Sequence, residues 1–479
     1  MTRTTLLLGA MAVAAVGMVG VAQRPDRSSP PPPGPPPTLR LPAIQKQSLS
    51  NGLRVWIVEH HEVPLTQVNL VLGSGGAADP TGKFGVASFT AAMLDEGAGS
   101  RSAIELADAI DFLGATLSTS SSFDQSAVRL SAPVAKLSDA LALMADVAFR
   151  PTFPVAEIDR LRTERLTQLV QARDEPEALI QVAFPRIVYG RTYRYGTPAI
   201  GSEVVLKALT RDDLLAFYRR HYRPDNATLL IVGDITATAV MPLVERTFGS
   251  WAAEGPALAT GDLAAAPQLK ARRVYIVDKP GATQSQIRIG CVGVSRTAPD
   301  EATIDVLNTI LGGAFTSRLN TNLREEHGYA YAASSEFDRR LAPGPFFAAA
   351  GVQTDKTADA LKECFKELDG ILKIVPDDEL EKAKRYIALS FPGKFETTGD
   401  LADKLEELAV YALPDGTFAT YIERVQKVTA ADLQKAAIRL IQPRKLAVVI
   451  VGDRKAIEAS VRALRLGPVT ILQTEDLFK

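Results

Sequence analysis

Histidine and cysteine, the side chains that build most transition-metal sites, are nearly missing from this chain of 479 residues: it has four His and two Cys. Two thiols cannot make a structural zinc site alone, and His60, His61, His221 and His327 have no ligand spacing. His60 and His61 are neighbours on an expected strand, so their rings point to opposite faces and cannot share one ion without distortion. They read as surface residues at a strand end. Cys291 lies in the apolar run IRIGCVGV and Cys364 in a helical pattern, so both read as small core residues. An excess of one charge is missing too. The formal net charge is −1, and the short cluster from Lys270 to Arg273 reads as a solvated strand start. Nucleic acid is therefore not an expected partner. What remains is a globular composition, 46% hydrophobic and 23% charged, in a chain too long for one ordinary core.

Long hydrophobic runs are absent, with one exception. Leu6 to Ala22 is apolar, follows Arg3, and ends on the small residues Gly20-Val-Ala22 before Gln23. It is short for a spanning helix, which needs about 20 residues. Residues 1–22 are expected to be a signal peptide, with an uncleaved anchor in the inner membrane as the alternative. No Cys follows the run, which excludes a lipid anchor there. Residues 23–45, which include RPDRSSPPPPGPPPT, are expected to form a Pro-rich, semi-rigid linker. The chain is expected to be exported to a bacterial periplasm.

The rest repeats itself. LTRDDLLAFYRRHYRPDNATLLIVGDI in one half and VTAADLQKAAIRLIQPRKLAVVIVGDR in the other each give a Thr N-cap candidate (Thr210, Thr429), an amphipathic helix, a Pro break, an apolar strand and Val-Gly-Asp. The halves also begin alike, with LRVWIVEHHEVPLTQVNLVLGSG and RRVYIVDKPGATQSQIRIGCVGV as strand pairs, each followed by a helix. The expected fold is α+β: two homologous modules, residues 46–250 and 270–470, each an antiparallel-dominated sheet with helices packed on one face. Residues 251–269, rich in Ala, Gly and Pro, are the expected linker between them.

The stretch with the most chemistry in its outline is Phe84 to Gly97, FGVASFTAAMLDEG. It resembles the core of the M16 metallopeptidases (the pitrilysin, insulinase and mitochondrial processing peptidase family), which reads roughly G-x-A-H-F-L-E-H-M. Gly85, Ala87, Phe89 and Met93 match that core. NGLRVWIVEHHEVP (Asn51–Pro64), FYRRHYRPDNATLLIVGDI (Phe217–Ile235) and SRLNTNLREEHGYAYAASS (Ser317–Ser335) resemble the same family in the same order. The resemblance implies two modules facing each other in a half-clamshell. It also implies a zinc site built on H-x-x-E-H, whose two His share one helix face while the Glu serves as base. Here those five positions read Ser88, Phe89, Thr90, Ala91, Ala92. Ser88 and Ala92 cannot replace imidazole ligands, and Ala91 cannot be a base. Glu157 and Glu164 fall roughly where a third ligand belongs, but one carboxylate is no zinc site, and both read better as solvated positions on an amphipathic helix. A hydrolase using Ser88 as nucleophile is a poor third reading, since Ser88 has no G-x-S-x-G elbow and no His or Lys in its helix.

The second half keeps what the first half lost. The family places an Arg and a Tyr, seven residues apart in L-R-E-x-x-G-x-A-Y, to grip the substrate backbone and assist the transition state. Leu323 to Tyr331 matches, so the resemblance assigns those roles to Arg324 and Tyr331. The bland alternative is a surface Arg paired with Glu325 or Glu326 and an ordinary strand aromatic. His327, inside the motif, reads as a surface His at a helix end. Ser118 to Ser122 falls where active relatives present an edge strand to the substrate; a plain polar strand is the equal alternative. The split resembles the family's two-subunit enzymes, in which one subunit carries zinc and base and the other the Arg–Tyr pair. The expected function is that of a non-catalytic subunit, inactive alone and without a cofactor of its own. Its expected partners are an M16 subunit bearing zinc and an unstructured peptide substrate. The alternative is an inert peptide-binding or scaffold subunit of a periplasmic or membrane-associated complex.

Overall fold

The computed structural model of the protein describes Gly34 and residues 39–258 and 265–478. The expected signal peptide, most of the Pro-rich segment and the middle of the expected linker lie outside the described residues. Twelve strands carry the two main sheets. In the first half they are β1 (Gln45–Ser48), β2 (Arg54–Glu59), β3 (Leu65–Leu72), β4 (Thr116–Ser121), β5 (Ser126–Pro133) and β6 (Ala227–Gly233). In the second they are β7 (Arg273–Asp278), β8 (Gln284–Val292), β9 (Ala330–Phe337), β10 (Pro345–Gln353), β11 (Ala447–Gly452) and β12 (Val469–Leu472). The sheet orders are β1-β2-β6-β3-β5-β4 and β12-β7-β11-β8-β10-β9.

Five strands of each sheet thus follow one plan. Ile57 opposite Ile231 in the parallel pair β2/β6 has its counterpart in Ile276 opposite Ile450 in β7/β11. Most other neighbours are antiparallel. The halves differ at one edge, where β1 runs antiparallel to β2 and β12 runs parallel to β7. The repeated Thr signals do cap helices. Thr210 and Thr429 each accept a backbone N–H from the residue three ahead, and Asp213 and Asp432 accept the Thr N–H in return.

β6 (ATLLIVG) and β11 (AVVIVG) are buried at every residue. Such runs, apolar but for Thr228, suit strands covered on both faces. One face carries the helices of the same half. The other is covered by a single helix from the opposite half: Pro176–Tyr189 lies on β8 and β11, and Thr398–Val410 lies on β3 and β6. Phe184 of the first meets Phe347 edge-on at 5.7 Å, and Gly290 leaves the room, since a Cβ there would stand 2.8 Å from the Phe184 ring. Burying each such side chain fully stabilises by roughly 1.5–3 kcal/mol. The second helix is fixed by Glu406, which accepts from Asn69 (2.6 Å), Gln125 (2.9 Å) and the Nε and Nη2 of Arg129 (2.8 and 2.6 Å). The two cores are therefore reciprocal, each completed by a helix of the other half.

His221 closes the helix Arg211–His221, with Nδ1 3.0 Å from Ser74 Oγ and its ring stacked on Phe217 at 4.3 Å. Burial, helped by Arg220, lowers its pKa to about 4. The unfolded chain takes up this proton first, so the neutral ring stabilises the fold above about pH 6.5. That stabilisation is lost as pH falls towards about 4, by roughly 2–3 kcal/mol over the window. The urea midpoint should fall more steeply between pH 7 and 4.5 in the wild type than in His221→Gln. Parallel falls would assign the acid sensitivity to other groups.

The two cysteines are buried and unpaired with each other. Among the described residues, no helix is long and apolar enough to cross a membrane.

Candidate functional site

The degenerate helix Val86–Ala92 is held from its N-terminus by Asp79, which accepts from Gly85 N (2.6 Å) and Ala87 N (2.8 Å). Asp79 also accepts from Arg194 Nε (3.0 Å) and Nη2 (2.8 Å), in a pair almost without exposure. Burial pushes the Asp79 carboxyl up and the Arg194 guanidinium down, against the pull of each on the other. Gly85 has φ +109, and a Cβ on it would stand 2.7 Å from Ile200 O, so glycine is required at this helix start.

Along the helix Phe89, Thr90 and Ala91 face the core, while Ser88 and Ala92 are partly exposed. The space beside Ser88 is taken by Arg165, a residue of helix Val155–Ala172 that no sequence motif singles out. Its Nη1 lies 3.2 Å from Ser88 Oγ, its Nη2 donates to Ser88 O at 2.9 Å, and its guanidinium sits 4.8 Å over the Phe89 ring. Burial lowers its pKa to about 10, so it stays charged at neutral pH. The residues present do not fit a zinc ion. Two ligand positions and the base are Ser88, Ala92 and Ala91, and a guanidinium stands against the first of them. Among the described residues, no cluster of His, Cys, Asp and Glu could hold a metal ion. Glu157 and Glu164 lie with Glu96 around Arg160, at 2.6, 3.6 and 2.5 Å, and are committed to ion pairs on the outer face of their helix. Restoring the motif alone, with Ser88→His, Ala91→Glu and Ala92→His, is expected to leave the purified chain without stoichiometric zinc. Elemental analysis of that triple variant is the check, and tight zinc binding with Arg165 intact would contradict the role given to the guanidinium.

Arg324 and Tyr331 stand together in the second half. Arg324 lies in the last turn of a short helical segment, Thr321–Glu326, which is wound wider than an α-helix. Gly328, at φ +64, closes it by donating to Arg324 O at 3.2 Å, and the chain enters β9. β9 is an edge strand, and its ladder with β10 jumps from Ala330–Val352 to Ala333–Ala350. One extra residue is accommodated there, and Tyr331 and Ala332 both turn outward, as a bulge allows. Tyr331 is 87% exposed. The Arg324 guanidinium lies 5.4 Å from the Tyr331 ring and 4.5 Å from the ring of Phe315, a residue absent from the sequence-based candidates. Its Nε is also 3.3 Å from Glu325 Oε1, the pairing that the bland reading anticipates. His327 stacks on Tyr329 at 5.0 Å and lies 3.7 Å from Glu363, a surface role as expected.

With two rings near the guanidinium and Glu325 at its Nε, the Nη donors are left to meet another partner. With a phenol alongside, the arrangement can donate to a carbonyl oxygen and to negative charge developing on it. β4, the counterpart of β9 at the edge of the first sheet, carries Ser118, Thr119, Ser120 and Ser121 with alternating exposure, and Ser120 Oγ accepts from Arg129 at 2.5 Å.

A family model described as insulinase (peptidase family M16) matches residues 54–197, and one described as the peptidase M16 inactive domain matches residues 208–387. An uncharacterized zinc protease of Streptomyces coelicolor is 24% identical over 425 residues, covering 87% of this chain and 91% of its own. The crystal structure of a peptidase M16 inactive domain from Pseudomonas fluorescens superposes with a TM-score of 0.79 at 26% identity, covering 85% of this chain and 98% of its own. A protease from Helicobacter pylori shares the fold, with a TM-score of 0.80 at 22% identity over 86% of this chain and all of its own.

Proposed function

The chain belongs to the M16 metallopeptidase family, and from that premise we propose that it is the non-catalytic subunit of a heteromeric zinc peptidase. The hydrolytic chemistry rests with a partner subunit of the same family, which holds the zinc. This chain contributes Arg324 and Tyr331 in trans, gripping an unstructured peptide and donating to the carbonyl under attack. The observation that carries the reading is the division of the site. Ser88, Ala91 and Ala92, with Arg165 beside them, leave no metal site in one half, while the other half presents an Arg–Tyr pair at an exposed bulge.

The rest of the reading follows from charge and geometry. A guanidinium packed against two rings and paired with Glu325 has restricted freedom, so its donors need little reordering when a carbonyl oxygen arrives. Donors fixed in advance stabilise the transition state more than the ground state. The apolar N-terminal run and the Pro-rich segment support export to the periplasm, with the globular part held off the terminus.

Sedimentation analysis tests the assembly. Mixed with a zinc-bearing M16 subunit from the same genome, this chain should form one larger species, and cleavage of a quenched fluorescent peptide should appear in that species. A mixed species that binds peptide yet cleaves no faster than the zinc subunit alone would make this chain an inert peptide-binding or scaffold subunit.

A further inference from the structure

Phe315 is 62% exposed, and unlike other exposed apolar side chains among the described residues it lies beside the Arg324–Tyr331 pair. Its ring lies 4.5 Å from the Arg324 guanidinium, which is itself 5.4 Å from the Tyr331 ring, so three exposed or half-exposed side chains form one cluster around the cation. The three come from separate pieces of chain: a loop after the wide turn Thr309–Gly313, the wide turn Thr321–Glu326, and the bulge of β9. Helix turns of this wide kind recur at functional sites.

One buried side chain ties the pieces together. Asn320, 3% exposed, donates from Nδ2 to Phe315 O at 2.6 Å and accepts at Oδ1 from Ala333 N at 3.1 Å. Ala333 is where the ladder resumes after the bulge that carries Tyr331. A single amide therefore sets the backbone under Phe315 relative to the backbone beyond Tyr331, and an amide, which both donates and accepts, is suited to do so. Gly312 lets the wide turn press on the same strand, since a Cβ there would stand 2.1 Å from Ser335 N.

We propose that Phe315 is a third member of the peptide-binding site, forming an apolar wall for an aromatic or large aliphatic side chain next to the gripped carbonyl. Asn320 is the positioning residue that sets the spacing of the cluster. The proposal rests on Arg324 and Tyr331 binding peptide, and it names the class of peptide they hold. Burying an exposed ring against a peptide side chain supplies affinity, while the cation beside the rings fixes the register of the backbone.

Fluorescence anisotropy on the isolated chain tests this with two labelled, unstructured peptides of equal length and charge, one carrying Phe where the other carries Ser. The wild type should prefer the Phe peptide. Phe315→Ala should weaken that peptide about 10-fold, the equivalent of about 1.4 kcal/mol, and leave the Ser peptide nearly unchanged. Asn320→Leu, which also lowers the melting temperature by unpairing Phe315 O and Ala333 N, should reduce the Phe-to-Ser preference by a similar factor when measured well below that temperature, a change in preference that a purely structural role would not give. If Arg324→Ala weakens both peptides while Phe315→Ala and Asn320→Leu leave the preference intact, the inference fails and the reading of the Arg–Tyr pair stands. If Arg324→Ala with Tyr331→Ala changes neither affinity, that reading fails, and the inference with it.

Discussion

In a complex with the zinc-bearing subunit, Arg324→Ala combined with Tyr331→Phe is expected to lower kcat about 100- to 1,000-fold, the usual cost of removing a donor to a developing oxyanion. Tyr331→Phe keeps the ring beside Arg324 and deletes only the hydroxyl, so the phenol is tested apart from the ring. Each single change should cost nearly as much as the pair, because groups that act as a unit are not additive. Arg324→Lys should recover little, since an ammonium lacks the planar fork of donors. Complex formation and the zinc content of the partner should be unchanged. Steady-state kinetics on the purified complex gives the answer, and an unaltered kcat would remove the pair from catalysis.

Glu406→Ala is expected to be the most destabilising single change in the crossing helix Thr398–Val410. It strips Arg129 of a two-pronged partner and leaves Asn69, which is fully buried, without its acceptor. Breaking a buried pair by deleting one member costs about 3–5 kcal/mol. Glu406→Gln, which keeps the shape and part of the hydrogen bonding, should cost about 1–3 kcal/mol. Because this helix completes the core of the opposite half, the loss should also uncouple the halves. The wild type is expected to unfold in a single urea transition, which should broaden or split in Glu406→Ala. An unchanged midpoint and slope would mean that the helix is held by its apolar contacts alone.

Local signals in the sequence carried much of this architecture. The two Val-Gly-Asp strands are legible because ATLLIVG, apolar but for Thr228, and the wholly apolar AVVIVG leave no polar face to expose. Thr210 and Thr429 are legible because capping is settled within three residues. The loss of the zinc ligands is legible because it concerns five adjacent positions. The crossing of the two helices is not, since Pro176–Tyr189 and Thr398–Val410 are ordinary amphipathic segments and nothing local says which sheet they cover. Arg165 is hidden for a related reason. An Arg among Arg, Glu and Thr on a helix reads as solvated, and only the packing of that helix beside Ser88 buries it. Phe315 and Asn320 lie in or beside a motif that drew the eye to Arg324, but their roles depend on the bulge at Tyr331, which a sequence pattern of period two does not announce.

On the proposed reading this chain does not hydrolyse peptides alone yet completes a partner that does. Zinc content and peptide cleavage should therefore be measured on the isolated chain and again after adding the zinc-bearing subunit. No zinc and no cleavage in the isolated chain, with cleavage rising on mixing well above that of the partner alone, is the predicted result. Stoichiometric zinc and cleavage in the isolated chain would contradict it, and would place a metal site away from Ser88, Ala91 and Ala92.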